Sequence, residues 1–222
     1  MYSLIFDTTA AACSIVLSQD GKIVNSFCQT LDFGQSEVLI PQIKKLLQTQ
    51  KVNFADLGAI FVCVGPGSFT GVRASISAAK VFALAQEKVT LSGFNAFDAY
   101  KDCLDMQNIA KINAVIIETR RDDFYVRFYD EKLEPLSDGQ ALPRDEIIAY
   151  LRHCGEAVTL IGDGVERFLN SPSGLVLHSV RMCDYIPLEG LNKSASQQIK
   201  SKKYNFPKPL YIRAADVTLP KA

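Results

Sequence analysis

The stretch from residue 59 to residue 85 combines a buried strand, a glycine-rich turn and a helix. Its first six residues, AIFVCV, form an unbroken apolar run with branched and aromatic members, which predicts a strand buried on both faces. The turn GPGSFTG follows, and residues 72–85 have the pattern of a helix. A strand, turn and helix in this order are typical of an α/β fold.

The turn itself admits two interpretations. Gly65 and Gly67 can adopt backbone angles that are closed to other residues, and Ser68 or Thr70 can cap the free N–H groups of the helix. Several N–H groups and the positive helix end would then point at one spot, where a phosphate could bind. The turn lacks both the lysine of a Walker P-loop and the spacing of a dinucleotide fingerprint, so a simple tight chain reversal also explains it.

The helix at residues 72–85 is apolar over nearly its whole circumference. One side carries Val72, Ile76, Ala79 and Ala83, and the polar strip consists of Arg73, Ser77 and Lys80. The remaining side is apolar as well, with Ala74, Ala78, Val81, Phe82 and Ala85. One side can lie on its own sheet, so the sequence predicts a second partner for the other, from this chain or from another.

Three motifs together resemble the bacterial TsaB (YeaZ) family. They are GPGSFTGVR at residues 65–73, FDTT at residues 6–9 and SEVLIP at residues 36–41. Members of this family take part in making N6-threonylcarbamoyladenosine at position 37 of tRNA. The resemblance implies an actin-like or sugar-kinase-like (ASKHA, RNase H-like) two-lobed fold, with mixed sheets flanked by helices and a reduced second lobe.

The same resemblance implies that the chain is a non-catalytic subunit. Its expected partners are the metal-dependent catalytic paralogue TsaD (Gcp-like) and the ATPase TsaE, with tRNA reached indirectly through the complex. In this family the helices after the third and fourth strands pair with those of TsaD, or with a second copy when the protein is alone. No intrinsic cofactor is expected, although ATP or ADP could lie at the partner interface.

Composition limits the other classes of function. Lys plus Arg equals Asp plus Glu at 24 each, so the chain has no general electrostatic attraction to nucleic acid or membrane. The six cysteines are scattered without a Cys-x-x-Cys pair, which favours reduced thiols over a disulfide frame or a zinc site. Residues 1–7 are too short for a signal-peptide core, and no apolar run could span a bilayer, so the expected compartment is the cytoplasm.

The first lobe is expected to cover residues 1–108. Strands are predicted at residues 3–8, 13–18 and 22–29, and a helix at residues 36–48 with Ser36 as its cap. The TsaB family usually has His where this chain has Gln35, so the role of that histidine is open here. Asp7 and Thr8 either face a nucleotide phosphate, as in actin-like folds, or satisfy the backbone of the turn.

The metal ligands of the catalytic paralogue are missing from the sequence. TsaD holds its metal with a His-x-x-x-His helix that follows an Asn; matched from Asn95, those two places are Ala96 and Tyr100 here. The chain's two histidines, His153 and His178, show no ligand spacing. The sequence therefore predicts neither a metal site nor a catalytic group.

The second lobe is expected to cover residues 109–222, with its tail returning to the first lobe. Strand, Gly162-Asp163-Gly164 and helix repeat the arrangement seen at residues 59–71. Residues 170–196 are predicted to be loop with short pieces of structure, because they are rich in Ser, Pro and Gly. The basic cluster at residues 200–203 is interpreted as a solvated surface.

Two functions remain open from the sequence. A non-catalytic subunit would use Leu39, Ile43, Val72, Ile76, Ala79 and Ala83, as core or as partner interface. A stand-alone nucleotide-binding protein or ATPase would use phosphate-facing turns built from Asp7, Thr8, Gly65, Gly67, Ser68, Gly162 and Gly164. Binding of ATP to the purified chain would separate the two.

Overall fold

The computed structural model describes residues 1–31, 34–86 and 88–213, without the side chains of Gln35 and Ser36. The order of elements is three strands, helix, strand, helix, strand, helix, and this series occurs twice. The chain is therefore built from two copies of one arrangement. No helix within the described residues is long and apolar enough to cross a bilayer.

The first copy forms a five-stranded sheet with the order β3-β2-β1-β4-β5. β1 pairs antiparallel with β2 and parallel with β4, so the sheet is mixed, as predicted. The hairpin between β2 and β3 turns at Asp20 and Gly21, both with positive φ. The elements are β1 (Tyr2–Asp7), β2 (Ala12–Gln19), β3 (Lys22–Thr30), α1 (Gln35–Thr49), β4 (Leu57–Cys63), α2 (Phe69–Leu84), β5 (Thr90–Phe94) and α3 (Ala96–Lys101).

The second copy forms a sheet with the order β10-β9-β6-β7-β8, which is the same order when it is followed from the β8 edge. β6 pairs antiparallel with β7 and parallel with β9, again a mixed sheet. The elements are β6 (Ile112–Glu118), β7 (Asp123–Tyr129), β8 (Gln140–Pro143), α4 (Arg144–Cys154), β9 (Val158–Gly162), α5 (Val165–Leu169), β10 (Leu177–Met182) and α6 (Leu188–Ser201).

Three apolar clusters arrange these elements in layers. α1 and α2 cover one face of the first sheet, and α4 and α5 cover one face of the second. The remaining face of each sheet contributes to a shared central cluster that also contains α3 and α6. The two lobes are thus joined through a common core and not through a linker.

The last helix of each copy contacts the sheet of the other. α3 packs against β6 and β9, whereas α6 packs across β1 and β2 and against α3. Beyond α6 the tail runs along the first sheet, where the amide of Leu210 donates a 2.8 Å hydrogen bond to the carbonyl of Val64. α3 belongs to the first copy but packs on the second sheet, and α6 does the reverse, so packing alone does not define a lobe boundary. The predicted boundary at residues 108 and 109 therefore stays a prediction.

Several local predictions need correction. Residues 170–196 were expected to be loop but contain β10 and most of α6, whose apolar positions Leu188, Leu191, Ala195 and Ile199 recur at helical spacing. The short strand β8 has no counterpart in the prediction. The helix α1 begins at Gln35 with Gly34 as N-cap, so the predicted cap at Ser36 is wrong by two residues.

Candidate functional site

A cleft of about 670 Å³ lies between the lobes, where the glycine-rich turn of the first copy faces that of the second. Its first-lobe wall includes Thr9, Gly67 and Ser68, and its second-lobe wall includes Glu118 and Asp163. Tyr100 on α3 also lines it. The cleft thus brings together the two turns that would face phosphate under the nucleotide-binding alternative.

The first-lobe turn packs tightly on the end of β1. Gly65 has φ +96°, which favours glycine, and a Cβ on Gly67 would overlap the carbonyl oxygen of Thr9. The amide of Ser68 donates a 2.7 Å hydrogen bond to that same oxygen, and the Ser68 hydroxyl caps α2 by accepting from the Gly71 amide. Some donors of the predicted anion site are therefore used within the protein.

The second-lobe turn has the same construction. A Cβ on Gly162 would overlap the carbonyl oxygen of Ile116, and the Gly164 amide donates to that oxygen at 3.1 Å. Glu118 ends β6 as Asp7 ends β1, and the Arg167 guanidinium holds its carboxylate through two 2.7 Å hydrogen bonds. Both turns thus close against the first strand of their own lobe, and a phosphate-facing role for them stays a prediction.

Asp7 is fully buried at the end of β1. Its Oδ1 accepts a 2.8 Å hydrogen bond from the Thr9 amide, as in the turn-satisfying interpretation. Its Oδ2 has no hydrogen-bond partner in the part of the chain that the structure describes. Burial raises the pKa of this carboxyl, and the hydrogen bonds from Thr9 oppose the rise only in part. The neighbouring Thr8 is buried too, and its hydroxyl bonds to the carbonyl of Gly71.

Asp163 and Tyr100 bring two further ionisable groups to the cleft. Burial raises the pKa of Asp163 to about 7, and the nearby Glu118 carboxylate adds to the rise. Its Oδ1 accepts a 3.0 Å hydrogen bond from the Glu118 amide. Burial, and next the charge of Asp163, raise the pKa of the Tyr100 hydroxyl well above its ordinary range. The sequence analysis did not single out Asp163, although it lies between two glycines that were singled out.

The places of the paralogue's metal ligands do not fit a metal here. Ala96 and Tyr100 both line the cleft, so the sequence match puts them in the expected region. Alanine offers no donor atom, and a buried phenol with a raised pKa stays protonated and is a poor ligand. Among the described residues no group of three His, Cys, Asp or Glu side chains could hold a metal ion. His153 and His178 are exposed on α4 and β10, away from the cleft lining.

The six apolar residues proposed as core or interface lie mostly in the core of this chain. Leu39, Ile43, Val72, Ile76 and Ala79 are buried between the first sheet and its two helices, and Ala83 is half-buried. A partner could reach Ala83 but not the other five. Ile76, which is only 4% exposed, is therefore unsuited to a test of assembly.

A different set of side chains is exposed on the same two helices. We call it the outer face, and it consists of Ile40, Lys44, Ser77, Val81 and Leu84. Val81 is 63% and Leu84 85% exposed, although both are apolar. The sequence signal was present, because Ser77, Val81 and Leu84 recur at helical spacing, but the helical wheel alone does not tell which apolar side faces the sheet.

Comparisons with known proteins link this architecture to tRNA modification. A family model described as TsaD, tRNA N6-adenosine threonylcarbamoyltransferase, matches residues 34–134. The tRNA threonylcarbamoyladenosine biosynthesis protein TsaB of Escherichia coli (strain K12) is 29% identical over 184 residues, covering 80% of this chain and 78% of that protein. The protein of the same name from Bacillus subtilis (strain 168) is 25% identical over 165 residues, covering 73% and 71%.

Solved structures share the fold over nearly the whole chain. YeaZ from Pseudomonas aeruginosa superposes with a TM-score of 0.79 at 21% identity, covering 95% of this chain and 99% of that one. A Listeria monocytogenes protein described as a candidate N-acetylmannosamine kinase superposes with a TM-score of 0.53 at 9% identity, covering 91% and 100%. The predicted actin-like and sugar-kinase-like fold class is confirmed by these likenesses.

Proposed function

The chain belongs to the TsaB (YeaZ) family, and we propose that it is a non-catalytic subunit that binds the paralogue TsaD and holds it in its active arrangement. A role in the biosynthesis of tRNA threonylcarbamoyladenosine follows from the family. The chemistry is assigned to the partner, which would hold the metal and transfer the threonylcarbamoyl group to the adenine amine. A subunit activates a partner in this way only if it binds the active form more tightly than the inactive one.

The uncovered outer face of α1 and α2 is the observation that carries the proposal. Exposed apolar side chains that lie together on packed helices are typical of protein interfaces, whereas charged residues dominate ordinary helix surfaces. Val81 and Leu84 are such side chains, and Ser77 and Ala74 beside them are small enough for close helix approach. A partner with two similar helices could therefore form a four-helix contact here.

The residues of the cleft support the assignment of the metal-dependent chemistry to the partner. Ala96 and Tyr100 occupy the places where the paralogue carries metal ligands, and Asp7 is buried without access to a ligand in the cleft. A chain of this fold without those groups depends on a partner for metal-dependent chemistry. Homodimer formation through the outer face, and contact with TsaE, are further parts of the proposal.

A reconstituted reaction tests the proposal. The yield of threonylcarbamoyladenosine on a cognate tRNA is measured with and without this chain, and with the chain alone. We expect omission to abolish the product and the chain alone to make none. Product at full yield without the chain would refute the subunit role.

The interface is tested separately with matched pairs of exposed apolar residues. Replacing Val81 and Leu84 by Glu is expected to weaken the affinity for TsaD about a hundredfold, because charges would enter an apolar contact. The control replaces Val176 and Met106, which are 70% and 86% exposed and lie outside α1 and α2, by Glu. If both double variants bound TsaD with equal affinity, the outer face would not be part of the interface.

A stand-alone nucleotide-binding role has one observation in its favour. The interlobe cleft of about 670 Å³ is large enough for a nucleotide and is lined by both glycine turns. Isothermal titration of the purified chain with ATP and magnesium is the test, and a Kd below about 100 μM would support this alternative. Because Asp7 is fully buried, we expect no such binding.

A further inference from the structure

The net neutrality of the chain hides a strong separation of charge. Residues 190–213 contain five lysines and one arginine and no Asp or Glu, so all 24 acidic residues lie elsewhere. The lysines are Lys193, Lys200, Lys202, Lys203 and Lys208. Opposite charges that are separated along a chain produce a local field, even when the net charge is zero, provided that the structure keeps them on one surface.

The fold keeps these lysines on one surface. Lys193, Gln197 and Lys200 follow one another at helical spacing and are exposed on α6, whose other side is buried against the first sheet. Lys202 ends the helix with φ +54°, and Lys203 and Lys208 are exposed on the extended segment that follows. We call this surface the basic strip, and it runs from Lys193 to Lys208.

The extended segment also presents aromatic rings. Tyr204 is 42% and Phe206 64% exposed, and they alternate with Lys203, Asn205 and Lys208. The ammonium of Lys80 on α2 lies 5.0 Å from the centroid of the Phe206 ring. Lysines interleaved with exposed aromatic rings are typical of surfaces that bind single-stranded nucleic acid, because the charges contact phosphates and the rings stack on bases.

The backbone of the segment is held in place before any ligand arrives. The Asn205 amide donates to the Ser92 hydroxyl at 2.8 Å, and the Asn205 carbonyl accepts from the Gly93 amide at 2.7 Å. Pro207 is buried, and a Cβ on Gly93 would lie 3.1 Å from its Cα. Because the segment is already ordered along β5, binding would cost little conformational entropy.

A groove of about 690 Å³ lies beside the strip and shares Lys203 and Lys208 with it. The amide side chains of Gln197, Gln198 and Asn205 also line it. Its other charged residues are Lys101, Arg127, Asp98 and Glu134, whose charges sum to zero. Arg127 pairs with Asp98 at 3.5 Å, and Lys101 pairs at 3.3 Å with Asp102 outside the lining. The lysines of the strip therefore determine the sign of the field at the groove.

We propose that the basic strip binds RNA directly, with its lysines on backbone phosphates and Tyr204 and Phe206 on unpaired bases. The inference rests on the proposed function in that the RNA would be the tRNA to be modified, and it replaces the expectation that the chain reaches tRNA only through the complex. The strip lies on α6 and the tail, whereas the outer face lies on α1 and α2, and Lys80 of α2 contacts Phe206 of the strip.

The first test measures binding of the full chain to a fluorescent, unmodified tRNA transcript by anisotropy between roughly 50 and 200 mM salt, because affinity that depends on phosphate contacts falls steeply over this range. Replacing Lys200 and Lys203 by Ala is expected to weaken binding about tenfold and to reduce the slope of log affinity against log salt by about 2. Replacing Phe206 by Ala is expected to weaken binding about tenfold without changing the slope.

The control variant replaces Lys45 and Lys51, which are exposed near the end of α1 and just after it, by Ala and so has the same net charge. Equal tRNA affinity and equal salt slope for both lysine double variants would overturn the proposal. Loss of TsaD affinity in the Lys200→Ala, Lys203→Ala variant with tRNA binding unchanged would also overturn it, and would assign the strip to an acidic protein surface. Failure of the proposed function gives a different result from failure of the RNA-binding proposal. In that case tRNA binding would be unchanged, and the yield of threonylcarbamoyladenosine would not depend on the chain.

Discussion

The hydroxyl of Thr8 donates a 2.7 Å hydrogen bond to the carbonyl of Gly71, which ties the end of β1 to the first turn of α2. Both residues are buried, and the backbone carbonyl of Thr8 lies where a Cβ on Gly71 would be. The turn GPGSFTG is therefore held by close packing between a strand end and a helix start. Chain packing alone accounts for a glycine at the end of this turn.

Replacement of Gly71 by Ala tests this packing. Helix propensity favours Ala by about 1 kcal/mol, but the overlap with the Thr8 carbonyl should outweigh it, with a net loss of stability of about 1–3 kcal/mol. Urea unfolding followed by circular dichroism gives the free energy. Ser77→Ala on the exposed side of α2 is the control and should change stability by less than about 0.5 kcal/mol. A Gly71→Ala variant more stable than the parent would contradict the packing argument.

Ile76 and Val81 separate core from surface on α2. Ile76→Asp would bury an unpaired charge and should cost about 3–5 kcal/mol of folding free energy. Val81→Asp exposes the same charge to water and should cost no more than about 0.5 kcal/mol. Thermal and urea unfolding of the two variants measure the difference. Similar losses in both variants would show that the outer face is covered within the chain.

Asp163 should make stability depend on pH. Its pKa of about 7 lies above its ordinary value of 3.8, so the folded state binds a proton that the unfolded state has already released between these values. Stability should therefore fall as pH rises from about 4 to about 7, and the loss should be complete above pH 7. Asp163→Asn retains an acceptor for the Glu118 amide and should flatten this part of the profile.

The measurement is urea unfolding of both proteins at several pH values across that window. The parent-minus-variant difference isolates Asp163, because buried Asp7 also has a raised pKa and contributes in the same direction to both proteins. A difference that does not vary with pH would mean that Asp163 is ionised throughout.

Arg73 should fasten the tail to α2. Its guanidinium lies 3.7 Å from the centroid of the Phe69 ring, and its Nε donates a 2.9 Å hydrogen bond to the Tyr211 hydroxyl. Arg73→Ala should speed hydrogen exchange of the nearby Leu210 amide about tenfold, through loss of the hydrogen bond to Tyr211 and of the contact with its ring, whose centroid lies 5.9 Å from the guanidinium. The Gly93 amide, bonded to the Asn205 carbonyl further along the tail, is the internal control. Uniform acceleration of both amides would indicate general loosening instead.

Periodic apolar patterns made most of the fold predictable from the sequence. The first three strands were predicted to within one residue of their observed bounds, because each is a short apolar stretch bounded by turn residues. α6 was missed, although its apolar residues recur at helical spacing, because Ser, Pro and Gly are frequent in residues 170–196 and the burial of the helix depends on the sheet of the other lobe. Long-range packing of this kind leaves only a weak local signal.

The candidate site was less predictable for a related reason. The composition of a turn shows that glycine is needed there. It does not show whether the group packed against the glycine is a bound phosphate or, as here, the carbonyl of Thr9 or Ile116. Six apolar positions on α1 and α2 could be named from the sequence. They could not be divided into core and interface, because both environments favour apolar side chains. The basic cluster at residues 200–203 was visible in the sequence and was interpreted as a solvated surface, but the fold was needed to show which exposed residues lie beside it.

The exchange of α3 and α6 between the lobes decides how the molecule can move. A linker between lobes would allow a hinge, with one lobe swinging freely about a few backbone angles. Here each lobe is covered by the final helix of the other, and the two helices pack side by side. Widening the cleft would therefore require a shear motion, in which α3 slides along α6 by small steps. We expect the relative position of the two lobes to vary little, so a partner that contacts both lobes would bind only one arrangement of them.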